Sequence, residues 1–326
     1  MATVAHTVAS KWTAAVQSTA NNMDAVDAVR AFFLFATCTT LSVSGIPYLR
    51  ARFVDYGPRA TDSSRSASTI AAPRSPLTRF IDYLAAWRVP HSYFIHFYVL
   101  SVLSSIFWAT QLLSRGPAFR VIAARVNEEH RSKSMSLNQV WLCWALMAIQ
   151  GARRLYECIA TAKQSSSQMW FVHWFLGLAF YIAMTLAIWI EGTGTLLARD
   201  ITLDHLRVTN VPTPRTLLCL PLFLLASGLQ HDCHHYLASL KKYTLPAHPL
   251  FLSVICPHYT AECVIYLALA LLAAPAGESI NKTVLSGLFF VAVNLGITAA
   301  SSKRWYMQKF GEENVRNRWR MIPFLY

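Results

Sequence analysis

The chain has 326 residues, of which 54% are hydrophobic and only 14% are charged. Soluble domains carry about 25% charged residues, so this composition excludes a disordered chain and a disulfide scaffold and argues against a soluble globular protein. Lys and Arg outnumber Asp and Glu by 29 to 16, which gives a net charge of +13. In so apolar a chain these cations are expected in the loops of a membrane protein, not on a nucleic-acid-binding surface.

Seven stretches approach the roughly 20 apolar residues that a helix needs to cross a bilayer. In chain order they are residues 31–49, 93–113, 136–155, 169–190, 216–229, 259–276 and 284–300. The fifth and seventh are short, so six spans remain an alternative. Strands are disfavoured because the stretches do not alternate polar with apolar residues. The sequence predicts an all-α polytopic membrane protein with about seven transmembrane helices.

The spans divide the chain into three regions. Residues 1–30 form an N-terminal segment outside the membrane and lack the apolar core of a cleavable signal peptide. Residues 31–92 hold the first span and a Ser-, Pro- and Arg-rich loop at 57–79, which we expect to be flexible. Residues 93–326 hold the remaining spans. The seven cysteines are an odd number without a CxxC motif, and we expect buried free thiols.

The distribution of Lys and Arg predicts the orientation of the spans. The loops on the side of the C-terminus hold the larger share, which favours a cytosolic C-terminus, although the Arg-rich second loop opposes this. The glycosylation sequon Asn281-Lys282-Thr283 then falls on the lumenal side. It lies so close to the bilayer that we do not expect it to be used.

Ionisable residues within or beside spans are costly, so each group is a functional hypothesis. The first group is the segment PHSYFIHFY at 90–98, in which Tyr93, His96 and Tyr98 fall on neighbouring turns but not on one stripe. Tyr and His can both donate a proton to an oxygen on which negative charge develops. An aromatic belt at the membrane interface is the alternative.

The second group lies at the end of the third span. Gln150, Arg153 or Arg154, and Glu157 recur at a spacing that places them on one helical face. Arg153 and Glu157 can pair, and an anion would approach this end of the span. Membrane anchoring by the cations with an ordinary ion pair is the alternative.

The third group is the HxxHH box formed by His231, His234 and His235. Membrane hydroxylases and desaturases hold two irons with several such boxes. Elsewhere in this sequence no two histidines repeat this spacing, so we predict no metal site.

The fourth group is the C-terminal tail, which interleaves six cations with aromatic residues from Lys303 to Arg320. Such a segment can bind phosphates and stack on a flat ring, although a basic patch on anionic lipid is the alternative. The chain contains no GxGxxG motif, so a dinucleotide would bind without a Rossmann fold.

Five motifs, taken in order, resemble the steroid 5α-reductase family, and within it the polyprenol (polyprenal) reductase branch. They span residues 88–326 and read VPHSYFIHFYVLSV, IQGARRLYEC with MWFVHWFLG, QHDCHHYLASLKK, CPHYTAECVIYLALA and WYMQKFGEENVRNRWRMIPFLY. The resemblance implies a seven-helix fold in the endoplasmic reticulum membrane with NADPH held in the cytosolic half. It also implies hydride transfer to the β carbon of an α,β-unsaturated carbonyl, with an acid group on the carbonyl oxygen.

The resemblance also assigns cofactor-binding residues in residues 93–326. Gln230, His234 and Lys241 match the first cofactor segment of the family. Glu262 matches a second segment, in which His258 stands where the family has Asn. In the tail, Tyr306 and Arg318 match positions that grip the nucleotide.

Tyr93 resembles the active-site tyrosine of the family. Because the usual glutamate has no counterpart, we expect either Tyr93 alone or Tyr93 with His96 as a second donor. The resulting hypothesis is NADPH-dependent reduction of the α-isoprene double bond of polyprenal to dolichal, for dolichol synthesis and protein N-glycosylation. The expected partners are a long isoprenoid lipid and the membrane, with no nucleic acid. The alternatives are a steroid or enoyl-thioester reductase, a metal-dependent lipid hydroxylase, and a non-enzymatic lipid-binding or transport protein.

Overall fold

The computed structural model describes residues 23–54, 75–161, 166–199, 212–241 and 243–326. In these residues the helices are α1 (Ala25–Gly45), α2 (Pro47–Phe53), α3 (Pro76–Ala85), α4 (Ile95–Leu113), α5 (Pro117–Ala123), α6 (Glu128–Ser132), α7 (Leu137–Ala160), α8 (Phe171–Ile190), α9 (Thr193–Ala198), α10 (Pro214–Ser239), α11 (Pro249–Ser253), α12 (Pro257–Leu272) and α13 (Lys282–Phe310). The described residues also contain two short strands, β1 (Arg88–Pro90) and β2 (Gln168–Trp170), and a 3₁₀ turn (His91–Phe94).

The all-α membrane architecture predicted from the sequence is confirmed. Within the described ranges, five helices are long and apolar enough to cross a bilayer, namely α1, α4 with its preceding turn, α8, α10 and α13. The helix α12 is apolar but has only 16 residues. The helix α7 has 24 residues and carries Arg153, Arg154 and Glu157 near its C-terminal end. Each of the seven predicted spans thus corresponds to a helix.

The helix ends differ from the predicted spans for local reasons. The helix α1 begins earlier, because the side chain of Asp24 accepts hydrogen bonds from the amides of Val26 (2.8 Å) and Asp27 (3.2 Å). The helix α10 continues through the histidine box to Ser239, so residues 230–235 are helical and do not form a loop. The helix α13 continues to Phe310 and stops at Gly311, which has a φ of +90°. Residue types other than glycine rarely adopt this backbone conformation.

Two predicted regions lie largely outside the described residues. They are residues 1–22 of the N-terminal segment and residues 57–74 of the expected flexible loop. The end of that loop is helical, since α3 begins at Pro76 behind the cap Ser75. All seven cysteines lie in described residues and are free thiols, as predicted, but the expected burial is wrong for three of them. Cys38 is exposed, and Cys158 and Cys263 are half-buried.

The helices pack in two groups that share α8. The helix α12 packs between α10 and α13, and α13 also packs along α1. In the other group α4 packs against α7 and α8. The strands join the starts of α4 and α8, because Val89 pairs with Met169 in an antiparallel ribbon. This pairing places residues 91–98 next to the first turns of α8.

A buried polar network closes the end of the bundle at which α8 ends and α13 begins. The Glu191 carboxylate accepts hydrogen bonds from Arg30 Nη2 (3.0 Å), Thr283 Oγ1 (2.5 Å) and the Thr283 amide (3.2 Å). Asn281 is fully buried, caps α13 through the Val284 amide (2.9 Å) and donates to the Ala273 carbonyl (3.0 Å). The sequon asparagine therefore has a structural role.

The C-terminal tail folds back onto the segment between α11 and α12. The Trp319 amide donates to the Ser253 carbonyl (2.7 Å), and the Trp319 carbonyl accepts from the Ile255 amide (2.8 Å). Met321 is buried, whereas Phe324 and Leu325 are exposed. The apolar end of the tail is therefore only partly buried.

Candidate active site

A cavity of about 160 Å³ lies between α4, α8, α10, α12 and α13. One wall is apolar and is built mainly from aromatic and leucine side chains of α4, α8 and α13 with the preceding 3₁₀ turn. Its members include Phe94, Phe97, Leu176, Phe180, Phe290 and Leu295. The polar side chains that line the cavity form its polar wall, which includes Tyr98, Arg154, Gln230, His234 and Glu262. Such a cavity can hold an apolar group with a polar end.

Two helices that pack closely, α10 and α12, carry Gln230, His234 and Glu262 of the polar wall. Gln230 and His234 lie one turn apart on α10, and His258 and Glu262 lie one turn apart on α12, so each pair shares a helix face. Gln230 Nε2 donates a hydrogen bond to Glu262, and Gln230 Oε1 accepts one from Gln150 Nε2 (2.9 Å). The amide of Gln230 thus connects α7, α10 and α12 at the cavity.

A buried carboxylate stands beside this wall. Glu157, near the C-terminal end of α7, accepts hydrogen bonds from the guanidinium groups of Arg153 and Arg154. The Nδ1 atoms of His231 and His234 lie 2.6 and 2.9 Å from its oxygens. Four basic side chains therefore surround one carboxylate of which 5% is exposed, and this pairing offsets the cost of burying its charge. The spacing in the sequence predicts that Gln150, the arginines and Glu157 share a helical face, and the structure brings them into contact.

Arg154 also reaches the cavity. Its Nη2 and Nε atoms donate hydrogen bonds to the hydroxyl oxygen of Tyr98 at 2.8 and 3.2 Å. Tyr98 is buried in α4, and its ring lies 4.8 Å from the Arg154 guanidinium carbon. A tyrosine hydroxyl and a cation thus meet at the cavity wall.

Tyr93 and His96 lie on another face. Their rings pack against each other at 4.6 Å and each lies 6.0 Å from the ring of Trp174. Tyr93 is 38% exposed, and neither residue lines the cavity. Helical spacing explains this placement, because residues 94, 97 and 98 share the face that meets the cavity. The spacing groups Tyr98 with Phe94 and Phe97, but only the packing of the helices shows that this face meets the cavity. The donor role of Tyr93 and His96 stays a prediction.

The other predicted cofactor residues do not line the cavity. The ring of His258 is 5.4 Å from that of His234, and its Nδ1 is buried without a hydrogen-bond partner in the described part of the chain. Lys241 is exposed just beyond α10. Tyr306 and Arg318 belong to the folded tail.

The folded tail adjoins the cavity. Arg318 Nη1 donates to the carbonyls of Pro246 (3.0 Å) and Phe251 (3.1 Å). Tyr306 belongs to a small apolar cluster that also includes Tyr259 and Leu295, both of which line the cavity. The tail is therefore held against the helices that build the polar wall.

The histidine box does not form a cluster with metal-ligand spacing. In the described ranges, the one group of His, Cys, Asp or Glu atoms close enough for a metal comprises Asp24, Asp27 and His130, at the opposite end of the bundle. Arg30 donates to Asp27 (3.2 Å) and lies 3.3 Å from His130 Nε2. His231 and His234 instead contact Glu157.

Comparisons with known proteins match this chain to a steroid dehydrogenase family and to polyprenal reductases. A family model described as 3-oxo-5-alpha-steroid 4-dehydrogenase matches residues 179–326. Polyprenal reductase 1 of Oryza sativa subsp. indica is 30% identical over 293 residues, which covers 74% of this chain and 80% of the rice protein. The polyprenal reductases of Saccharomyces cerevisiae and Homo sapiens are 28% and 26% identical, over 77% and 74% of this chain and 80% and 79% of their own lengths.

Proposed function

Because the chain belongs to the polyprenal reductase family, we propose that it uses NADPH to reduce the double bond of polyprenal next to the aldehyde, which gives dolichal. The product would enter dolichol synthesis and so serve protein N-glycosylation. The observation that carries this proposal is the cavity that is lined both by apolar aromatic side chains and by Tyr98, Arg154 and Glu262.

The two walls match the two parts of the substrate. The first isoprene unit of polyprenal is apolar and gains free energy from contact with Phe97, Leu176 and Phe290. The aldehyde oxygen needs a hydrogen-bond donor, because negative charge develops on it when the β carbon accepts hydride. The rest of the isoprenoid chain would remain in the bilayer.

The donors and acceptors beside the cavity fit a nicotinamide cofactor. His258 Nδ1 is buried without a partner among the described residues, and a carboxamide has both the donor and the acceptor to satisfy it. NADPH, when bound, supplies the hydride. Gln230, His234 and Glu262 would orient the nicotinamide end, whereas Lys241, Tyr306 and Arg318 would bind the phosphates and the adenine. These assignments extend the family pattern to this chain.

We place the protein in the endoplasmic reticulum membrane with a cytosolic C-terminus. In that orientation the C-terminal ends of α7 and α10 and the folded tail face the cytosol, where NADPH is available. The network around Glu191 and Asn281 would then lie on the lumenal side.

A side-by-side assay tests the proposal. Purified protein in lipid vesicles receives polyprenal, polyprenol or a 3-keto-4-ene steroid, each with NADPH or NADH. We expect conversion of polyprenal to dolichal with NADPH and little reaction with any other combination of substrate and cofactor. Preferential reduction of the steroid would instead favour the second candidate, a steroid reductase, for which the description of the matching family model is the specific support. Stoichiometric iron with no NADPH consumption would favour the hydroxylase alternative.

A further inference from the structure

We propose that Tyr98 is the residue that hydrogen-bonds the carbonyl oxygen of the substrate, and that Arg154 and Glu157 position its hydroxyl for this task. The proposal rests on the reductase function above. It replaces the donor role predicted for Tyr93 with a residue that lines the cavity.

The first argument concerns the direction of the Tyr98 proton. An arginine side chain has N–H donors and no acceptor, so the Tyr98 oxygen must accept both hydrogen bonds from Arg154, at 2.8 and 3.2 Å. The phenol proton therefore cannot point at Arg154. Within the described residues the Tyr98 hydroxyl donates to no protein acceptor. Its proton remains free to point into the cavity, toward the oxygen of a bound carbonyl group.

The second argument concerns how Arg154 is held. Its Nη1 donates to Glu157, while Nη2 and Nε donate to Tyr98, so both edges of the guanidinium group are fixed. Glu157 is fixed in turn by Arg153 and by His231 and His234. A donor that is already oriented costs no reorganisation when charge develops on the substrate. The chain from Glu157 through Arg154 to Tyr98 is such a preorganised donor.

The positive charge of Arg154 also favours the reaction. As negative charge develops on the carbonyl oxygen, the hydrogen bond from Tyr98 shifts negative charge toward the phenol oxygen. The Arg154 cation, 2.8 Å from that oxygen, stabilises this charge. The site is buried, so water screens this interaction only weakly.

The electrons and protons of the step balance. The β carbon of the enal gains a hydride, and the electron pair of its double bond moves toward the carbonyl oxygen, which the Tyr98 hydroxyl hydrogen-bonds. The α carbon then takes one proton from water, the carbonyl group re-forms, and Tyr98 is unchanged. The net change in the substrate is the addition of one hydride and one proton, which converts an unsaturated aldehyde to a saturated one.

The test compares Tyr98→Phe with the matched control Tyr156→Phe. Tyr156 lies on the same helix as Arg154 but is 66% exposed. Removal of one oxyanion donor typically lowers kcat by about 10²- to 10³-fold. We expect this loss in Tyr98→Phe, with the NADPH dissociation constant from tryptophan fluorescence and the melting temperature unchanged. Tyr156→Phe should match the wild type in all three measurements.

Arg154→Lys tests the positioning role. Lysine keeps the charge, but its single ammonium group cannot reproduce the planar fork that joins Tyr98 to Glu157. We expect kcat to fall at least tenfold while the KM for polyprenal changes less than threefold. A merely structural role would instead lower the melting temperature and leave kcat per folded molecule unchanged.

The outcomes separate the two proposals. A wild-type protein that does not reduce polyprenal with NADPH overturns the proposed function and this inference with it. An active wild type with full kcat in Tyr98→Phe, or with turnover lost in Tyr93→Phe alone, overturns this inference only. If Tyr98→Phe fails to fold, Arg154→Lys decides, and wild-type kcat in that variant overturns the inference.

Discussion

Gly177 in α8 sets the space available in the cavity. A Cβ atom at this position would lie 2.6 Å from Cε1 and 2.7 Å from Cζ of Phe97 in α4. Ordinary contacts begin at 3.4 Å, so in Gly177→Ala the ring must move by roughly 0.8 Å. Phe94 and Tyr181 pack against Phe97 with ring centroids at 5.1 and 6.2 Å. We therefore expect the ring to move into the cavity.

The size of the effect follows from this displacement. Overpacking of a filled site costs about 1–3 kcal/mol, which corresponds to a roughly 5- to 150-fold loss if it acts on substrate binding. We expect kcat/KM for polyprenal to fall within that range in Gly177→Ala, measured at saturating NADPH. The control is Gly228→Ala, because Gly228 lies on an exposed face of α10 with nothing within 4 Å of a new Cβ. Wild-type kcat/KM in Gly177→Ala would refute the reasoning.

Two further predictions concern the polar network at the other end of the bundle. Glu191→Ala should lower the free energy of unfolding by about 1–3 kcal/mol, because it removes the buried carboxylate that accepts hydrogen bonds from Arg30 and Thr283. The control Asp27→Ala removes a partner of Arg30 that is 55% exposed and should cost at most about 1 kcal/mol; equal losses in denaturant titrations of the two variants would contradict this. Asn281 should carry no glycan, because it is fully buried and caps α13, so a gel shift on deglycosylation that Asn281→Gln abolishes would be the contrary result.

The sequence predicts the membrane helices well because hydrophobic length is a local property. The sequence predicts the ends of these helices less well, because capping residues and polar side chains determine where a helix begins and stops. The polar residues of the histidine box are typical of a loop, yet α10 continues through them to Ser239. His231 and His234 are accommodated in the helix because they contact the buried carboxylate of Glu157 on α7. Such a partner 74 residues away along the chain cannot be identified from local composition.

In the candidate site, too, some features follow from the sequence and others depend on tertiary packing. Gln230, His234 and Glu262 line one cavity, because residues four apart on each helix share a face. Their role in cofactor binding stays a prediction. Tyr93 matched a family motif, but which side of a helix meets the cavity depends on tertiary packing. In this chain that packing places Tyr98 at the cavity.

The position of hydride addition tests the central claim most directly. Purified protein in vesicles would receive polyprenal and NADPH that carries deuterium at the transferable position, and the product would be analysed by mass spectrometry and NMR. The account predicts dolichal with one deuterium on the β carbon of the former enal. Deuterium on the aldehyde carbon, as in polyprenol, or no incorporation at all would contradict it.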